Sequence, residues 1–239
     1  MPQFFLNEIN PDGSFIISGS DFRHLTKVRR IKLNDAINVR HNGLLYEASV
    51  KHISSDFLEA QLGRVIPQTA GGIDVTLMCA MLKSGSFDFV IQKAVETGAS
   101  RIIPVHTERT ITDISNKKKS KIERWNKISL EASKQSLRDL PPEICEPLEY
   151  REALNVESSG LKIIAHPGAG INVKDALTRI GKNTTVTVLI GPEGGFTDRE
   201  LSDADDKGFT AVNFGFSHLR AETAVIVFLS IIIYEMSGK

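Results

Sequence analysis

At 239 residues the chain can hold one large or two small domains, and 41% hydrophobic with 24% charged residues is ordinary for a folded protein. Its two cysteines, Cys79 and Cys145, lie far apart and outside any metal-ligand spacing. They exclude a disulfide framework and a metal site, and point to reduced thiols in the cytoplasm. The formal net charge of +0 hides an uneven spread. Residues 101–138 carry ten basic and four acidic side chains, a net of +6, whereas 139–239 carry nine and fifteen, a net of −6. A neutral total therefore leaves room for a polyanionic partner, because a local basic stretch can make phosphate contacts. The apolar run 4–6 stops at Asn7 and Glu8, too short for a signal peptide, and the run 224–234 is too short to span a bilayer.

Residues 1–70 read as a small β domain. Candidate strands at 14–18, 36–40, 44–51 and 57–65 are separated by turn chemistry, Pro11-Asp12-Gly13 and the hairpin pair Asn42-Gly43. Between the first two strands lies DFRHLTKVRRIKLND, rich in Arg23, His24, Lys27, Arg29, Arg30 and Lys32. Phe22, Leu25 and Val28 recur at helical spacing, so the stretch predicts a short basic helix with one apolar face. Such a helix either lies along phosphates or presents a solvated face. The run Lys117, Lys118, Lys119 and Lys121 leaves the same two readings open.

PQTAGG at 67–72 reads as a linker, and from residue 73 to 239 strands alternate with helices. Strands are expected at 74–80, 101–105 and 161–165. A helical stripe of Phe87, Val90, Ile91, Ala94 and Val95 ends at Gly98, and Ile122, Trp125, Ile128 and Ala132 mark a second helix. Asn172 caps a third, expected to stop at Gly181. This alternation implies a mainly parallel sheet covered by helices.

The stretch 186–224 organises the rest. An apolar strand at 186–190 leads into Gly191-Pro192-Glu193-Gly194-Gly195, and Thr197 with Glu200 forms a capping box. A strand at 210–214 stops at Gly215, and a long apolar helix closes the chain. Three turns, 166–170, 191–195 and 215–220, thus follow three strands and can meet where α/β sheets bind ligands. Glycine there lets backbone groups approach a ligand. No dinucleotide fingerprint and no P-loop occurs, so a cofactor held by backbone groups of several loops fits better than NAD or ATP. On the helix before Pro141-Pro142, Glu131, Gln135 and Arg138 share a face. The closing helix is apolar almost all round, through Val225, Ile226, Val227, Phe228, Leu229, Ile231, Ile232 and Ile233. Its surplus face needs a second partner, either within the chain or in a second copy.

GPEGGF followed by FGFSHLRAETA resembles the signature of the SPOUT-class RNA methyltransferases, and within them the ribosomal RNA small subunit methyltransferase E family. EASKQSLR at 131–138 is similar to that family's EAxxQSxR motif, and Gln92-Lys93-Ala94 with Glu96-Thr97-Gly98 to its QKAxELG. His24-Leu25 and Val28-Arg29-Arg30 resemble part of its N-terminal PUA-like RNA-binding domain. The resemblance implies a small PUA-like β-barrel at 1–70 and an α/β methyltransferase domain at 73–239 with a C-terminal trefoil knot. It also implies S-adenosylmethionine as cofactor, a homodimer, no metal, no membrane, and methylation of uridine N3 in small-subunit (16S) ribosomal RNA. Cofactor contacts would come from His166, Ile190, Gly191, Gly195, Gly215, Leu219, Thr223 and Ala224. Arg138 and Arg220 would stabilise the uracil anion, with Glu193 as candidate base. Arg23, His24, Lys27 and Arg30 would meet RNA. The chain departs from the family pattern at Arg29 and Thr97, each in place of leucine, and at Ser217-His218 in place of Arg-Ile. A non-catalytic RNA-binding factor that kept the fold, or a methyltransferase of another RNA, remain the alternatives.

Overall fold

The computed structural model describes residues 3–67, 74–112, 118–178, 181, 184–215 and 218–237. Residues 68–72 of the expected linker, Lys117 and Ser217 lie outside them. The chain forms two compact units, one of Met1–Gly71 with Ser133–Leu140 and one of Gly72–Ala132 with Pro141–Lys239. A single division at 70–73 therefore leaves out the segment 133–140, which packs with the N-terminal unit.

The N-terminal unit is built on five strands: β1 (Gln3–Phe5), β2 (Ser14–Ser18), β3 (Ala36–His41), β4 (Leu44–Ile53) and β5 (Phe57–Val65). They run in the order β1-β3-β4-β5-β2, antiparallel except for β1 beside β3. β1 and β2 are the two ends of that order, so the sheet is a half-barrel. Asn42 and Gly43 both have positive φ, 49° and 78°, as the tight turn between β3 and β4 requires. Alternate residues, among them Phe15, Ile17, Ile37, Val39, Val50 and Leu58, fill the core.

The basic stretch departs from a simple helix. α1 (Gly19–Arg23) passes into a π-helical turn, His24–Val28, closed by Arg29 N–H on the His24 carbonyl at 3.1 Å. The wider turn rotates later residues off the α-helical stripe. Phe22 and Leu25 are buried as expected, but Val28 is 69% exposed and Ile31 packs on the core instead.

The end of α3 (Lys118–Ser136) and the loop to Leu140 are tied to the N-terminal sheet by buried polar groups. Arg40, only 1% exposed, donates to Gln3 Oε1 at 2.9 Å, to the Gly43 carbonyl at 3.2 Å and to Asp139. Gln3 in turn donates to the Arg138 carbonyl. Lys134, also buried, forks onto both oxygens of Asp21 at 2.8 and 3.0 Å. Leu137 takes a left-handed φ of 58° while the Arg138 N–H closes back on the Ser133 carbonyl, which ends the helix.

The C-terminal unit is an eight-stranded parallel sheet. Its strands are β6 (Val75–Ala80), β7 (Arg101–His106), β8 (Glu143–Ile144), β9 (Leu148–Glu149), β10 (Leu161–Ala165), β11 (Ile171–Asn172), β12 (Val186–Ile190) and β13 (Thr210–Asn213). They run β11-β13-β10-β12-β6-β7-β8, with β9 also beside β7. All five residues of β12 are buried. Val186, Val188 and Ile190 enter one core with α2 (Ser84–Thr97), α5 (Val173–Leu177) and α7 (Ala221–Ser237). Leu189 points to the other, with α4 (Tyr150–Leu154) and α6 (Asp198–Asp206).

α5 ends at Leu177, short of the expected Gly181. α7 buries Ala221, Ala224, Val225, Phe228, Leu229, Ile232 and Met236. Ile233 approaches Gly98, where a Cβ would lie 3.1 Å from its Cδ1, so part of the surplus apolar face is covered by α2.

Arg40→Met should destabilise the fold by about 2–3 kcal/mol, because it leaves the buried Gln3 Oε1 without its donor. Asp139→Asn, at a carboxylate 61% exposed, should cost under about 1 kcal/mol. Urea denaturation checks the ranking, and equal losses from the two variants would contradict it.

Candidate functional site

β10 lies between β12 and β13, and all three are parallel. Their carboxyl ends therefore share one edge of the sheet. There the loops meet around a cavity of about 550 Å³, within the roughly 300–1,000 Å³ usual for a small-molecule site.

The loop after β10 contributes His166 and Pro167, and the turn after β12 contributes Gly191 to Phe196. Asn213 comes from the last position of β13, and Phe214, Gly215, His218, Leu219 and Arg220 from the segment between β13 and α7. Ala221, Ala224 and Phe228, one stripe of α7, form an apolar wall with Ile190.

The glycines have separate reasons. Gly195 at φ 67° and Gly215 at φ 133° occupy backbone conformations that disfavour a side chain. At Gly191 the constraint is space: a Cβ would sit 2.9 Å from the Phe196 ring. The Phe196 ring thus packs on bare backbone where β12 ends.

The start of α6 is anchored tightly. Thr197 N–H donates to Glu200 Oε2 at 2.9 Å, and the Glu200 N–H donates to Thr197 Oγ1 at 3.3 Å. The buried Glu200 also accepts from the Glu108 N–H at 2.8 Å. Tyr150 donates its hydroxyl to the Glu200 carbonyl, and burial followed by the Glu200 and Asp203 charges pushes that phenol up. The Asn213 amide donates to the Ala169 carbonyl at 2.6 Å, linking the loops after β10 and β13.

Of the sequence-predicted cofactor residues, His166, Ile190, Gly191, Gly195, Gly215, Leu219 and Ala224 line the cavity. Thr223 does not: it is exposed, because residues 221, 224 and 228 form the inward stripe of α7 and position 223 points away. Glu193 and Arg220 also line the cavity, and both are exposed. Arg138 lies in the N-terminal unit, where burial lowers its pKa and Asp139 partly offsets the shift. Arg23, Lys27 and Arg30 are exposed and His24 is half-buried, on α1, the π turn and the residues after it.

Sequence reasoning missed Arg109, Phe196 and Phe228 as lining residues. Phe228 was legible, one helical turn beyond Ala224. Arg109 sits in an irregular loop with no periodicity to mark it. Cys79 is fully buried at the end of β6, and burial pushes its thiol up, with the Glu193 and Glu222 charges adding to the shift. Such a thiol is inert. Among the described residues no cluster of His, Cys, Asp or Glu could hold a metal ion, and no helix is long and apolar enough to cross a membrane.

A family model for an RNA methyltransferase domain matches residues 70–233, and one for an RNA methyltransferase PUA domain matches 17–63. The chain is 34% identical over 234 residues to "Ribosomal RNA small subunit methyltransferase E" of Mesomycoplasma hyopneumoniae (strain 232), covering 96% of this chain and 98% of that one. It is similar to the solved ribosomal RNA small subunit methyltransferase E of Neisseria gonorrhoeae bound to S-adenosyl methionine. The TM-score is 0.85, with 29% identity and coverage of 97% of this chain and 96% of that one. A Legionella pneumophila methyltransferase in complex with the same cofactor gives a TM-score of 0.86, at 26% identity and coverage of 97% and 96%.

Proposed function

The chain belongs to the ribosomal RNA small subunit methyltransferase E family, and from that premise we propose that it methylates N3 of a uridine in small-subunit ribosomal RNA. It is an enzyme dependent on S-adenosylmethionine, the molecule held by two similar structures. One observation carries the reading. Three loops from adjacent parallel strands enclose a single cavity, with glycine where backbone must approach a ligand.

The residues present fit this cofactor. Ile190, Leu219, Ala224 and Phe228 offer an apolar slot for adenine, and the turns at Gly191–Gly195 and Gly215 offer backbone groups to its polar edge. Bound there, S-adenosylmethionine supplies a methyl carbon on a cationic sulfur. The rest is the work of the chain's own groups. Uracil N3 carries an imide proton and attacks poorly until it is lost. Arg220, at the cavity, stabilises the uracil anion in this scheme, with Arg138 as the second cation and Glu193 as the base. The uridine must leave its stack to present N3 to the methyl group.

Arg23, Lys27 and Arg30, with His24 beside them, serve as the RNA-docking face through phosphate contacts. The C-terminal trefoil knot belongs to the same proposal, as does a cytoplasmic site of action. So does a homodimer built on the α/β unit. Tyr234, 76% exposed on α7, and the half-buried Ile226, Val227 and Ile231 support a covered face there. In such a pair the 133–140 segment of one copy would complete the RNA site of the other.

Gly195→Val puts a β-branched side chain at φ 67°. Strain of roughly 1–3 kcal/mol should weaken S-adenosylmethionine binding about five- to 150-fold in calorimetry. Absence of cofactor binding by the native protein would sink the methyltransferase reading. Replacing Arg23, Lys27 and Arg30 together by glutamine should weaken RNA binding across sequences and flatten its salt dependence, with cofactor affinity unchanged. A native salt slope would remove this helix from the docking surface. Light scattering at micromolar concentration should give the mass of two chains. A stable, active monomer would end the dimer proposal.

A further inference from the structure

The turn after β12 is loose by composition. Three of its five residues are glycine, and glycine loses more freedom on ordering than any other residue. Its internal backbone hydrogen bond runs from the Gly195 N–H to the Pro192 carbonyl, at 2.9 Å. Further support comes from another loop, the one that follows β7.

Arg109 in that loop reaches the turn. Its Nη1 donates to the Gly194 carbonyl at 2.7 Å and lies 3.4 Å from the Phe196 carbonyl. Those two carbonyls flank Gly195, the left-handed residue of the turn. The stem of Arg109 lies along Gly194, where a Cβ would meet its Cδ at 3.4 Å. Phe196, held at its carbonyl by the same nitrogen, lays its ring against Gly191. A single guanidinium thus bears on both sides of Gly195 and, through Phe196, on Gly191. The loop is itself held in shape. The Thr107 N–H donates to Thr110 Oγ1 at 3.0 Å, the Thr110 N–H donates to the Thr107 carbonyl at 3.0 Å, and the Glu108 N–H is tied to Glu200.

We propose that Arg109 is a positioning residue for the cofactor. It holds the Gly191–Phe196 turn in its binding shape before the ligand arrives, so that less ordering remains for the ligand to impose. The proposal rests on the S-adenosylmethionine reading of this cavity. A guanidinium suits the task, because its Nη1 carries two N–H bonds and can face two carbonyls at once, and a charged donor gains more per hydrogen bond than a neutral one.

Arg109→Met and Arg109→Lys, each against the native protein, test the idea. Three quantities are measured: S-adenosylmethionine binding by calorimetry, thermal melting of the free protein, and initial methylation rates at varied cofactor. Arg109→Met should raise the cofactor Kd and KM about ten- to a hundredfold, and kcat at saturating cofactor should fall much less than KM rises. Arg109→Lys, which keeps one charged donor, should recover part of the affinity. Unchanged Kd in Arg109→Met, with the native protein binding normally, would overturn the inference. So would a melting temperature lowered equally in both variants with no recovery of affinity by lysine, the mark of a general packing role. Failure of the native protein to bind S-adenosylmethionine would overturn the cofactor reading itself, and this inference with it.

Discussion

The parallel pairing of β13, β10 and β12 is the constraint on which the rest of the C-terminal unit depends. Hydrogen bonds between parallel strands force all three to finish at the same edge, so the segments that follow them must converge. β12 is buried on both faces and cannot slip by one residue without exchanging its inward sets, Val186, Val188 and Ile190 on one side and Leu189 on the other. The positions of Gly191 and Gly195 relative to the His166 loop follow from that register. A site made from loops is precise here because the strands beneath it have no freedom.

A different principle governs the N-terminal unit. Its half-barrel has an ordinary apolar core, but the segment 133–140 is held by polar groups taken out of water, Arg40, Gln3 and Lys134. Such groups are stabilising only when each donor and acceptor is matched. Arg40 meets that condition through Gln3, Gly43 and Asp139. The arrangement fixes the backbone of Arg138 by its carbonyl, in a loop that leaves Leu137 and Leu140 exposed. The segment lies within the residues that match an RNA methyltransferase domain, yet it packs with the unit that matches a PUA domain.

Much of this was readable in the residues. The strands at 14–18, 57–65, 161–165 and 186–190 have the bounds that alternation and turn chemistry imply, and the capping box at Thr197 and Glu200 makes both of its bonds. These signals are local, and local physics decides them. What escaped is non-local. β1, β8, β9 and β11 are two or three residues long and exist only because a neighbouring strand accepts them. The π turn at His24–Val28 breaks a spacing that reads as α-helix, and Val28 loses its expected burial. The place of Thr223 follows from the phase of α7, which its apolar circumference conceals. Arg109 has no sequence signal at all, because its partners are 85 and 87 residues away.

The proposed product of this enzyme is N3-methyluridine in small-subunit ribosomal RNA. Mass spectrometry of nucleosides and fragments of that RNA, from cells with and without this protein, measures it directly. The expected result is one N3-methyluridine present with the protein, absent without it, and restored fully by the native chain but less by the Gly195→Val variant. An identical methylation pattern in both cell types would contradict the account.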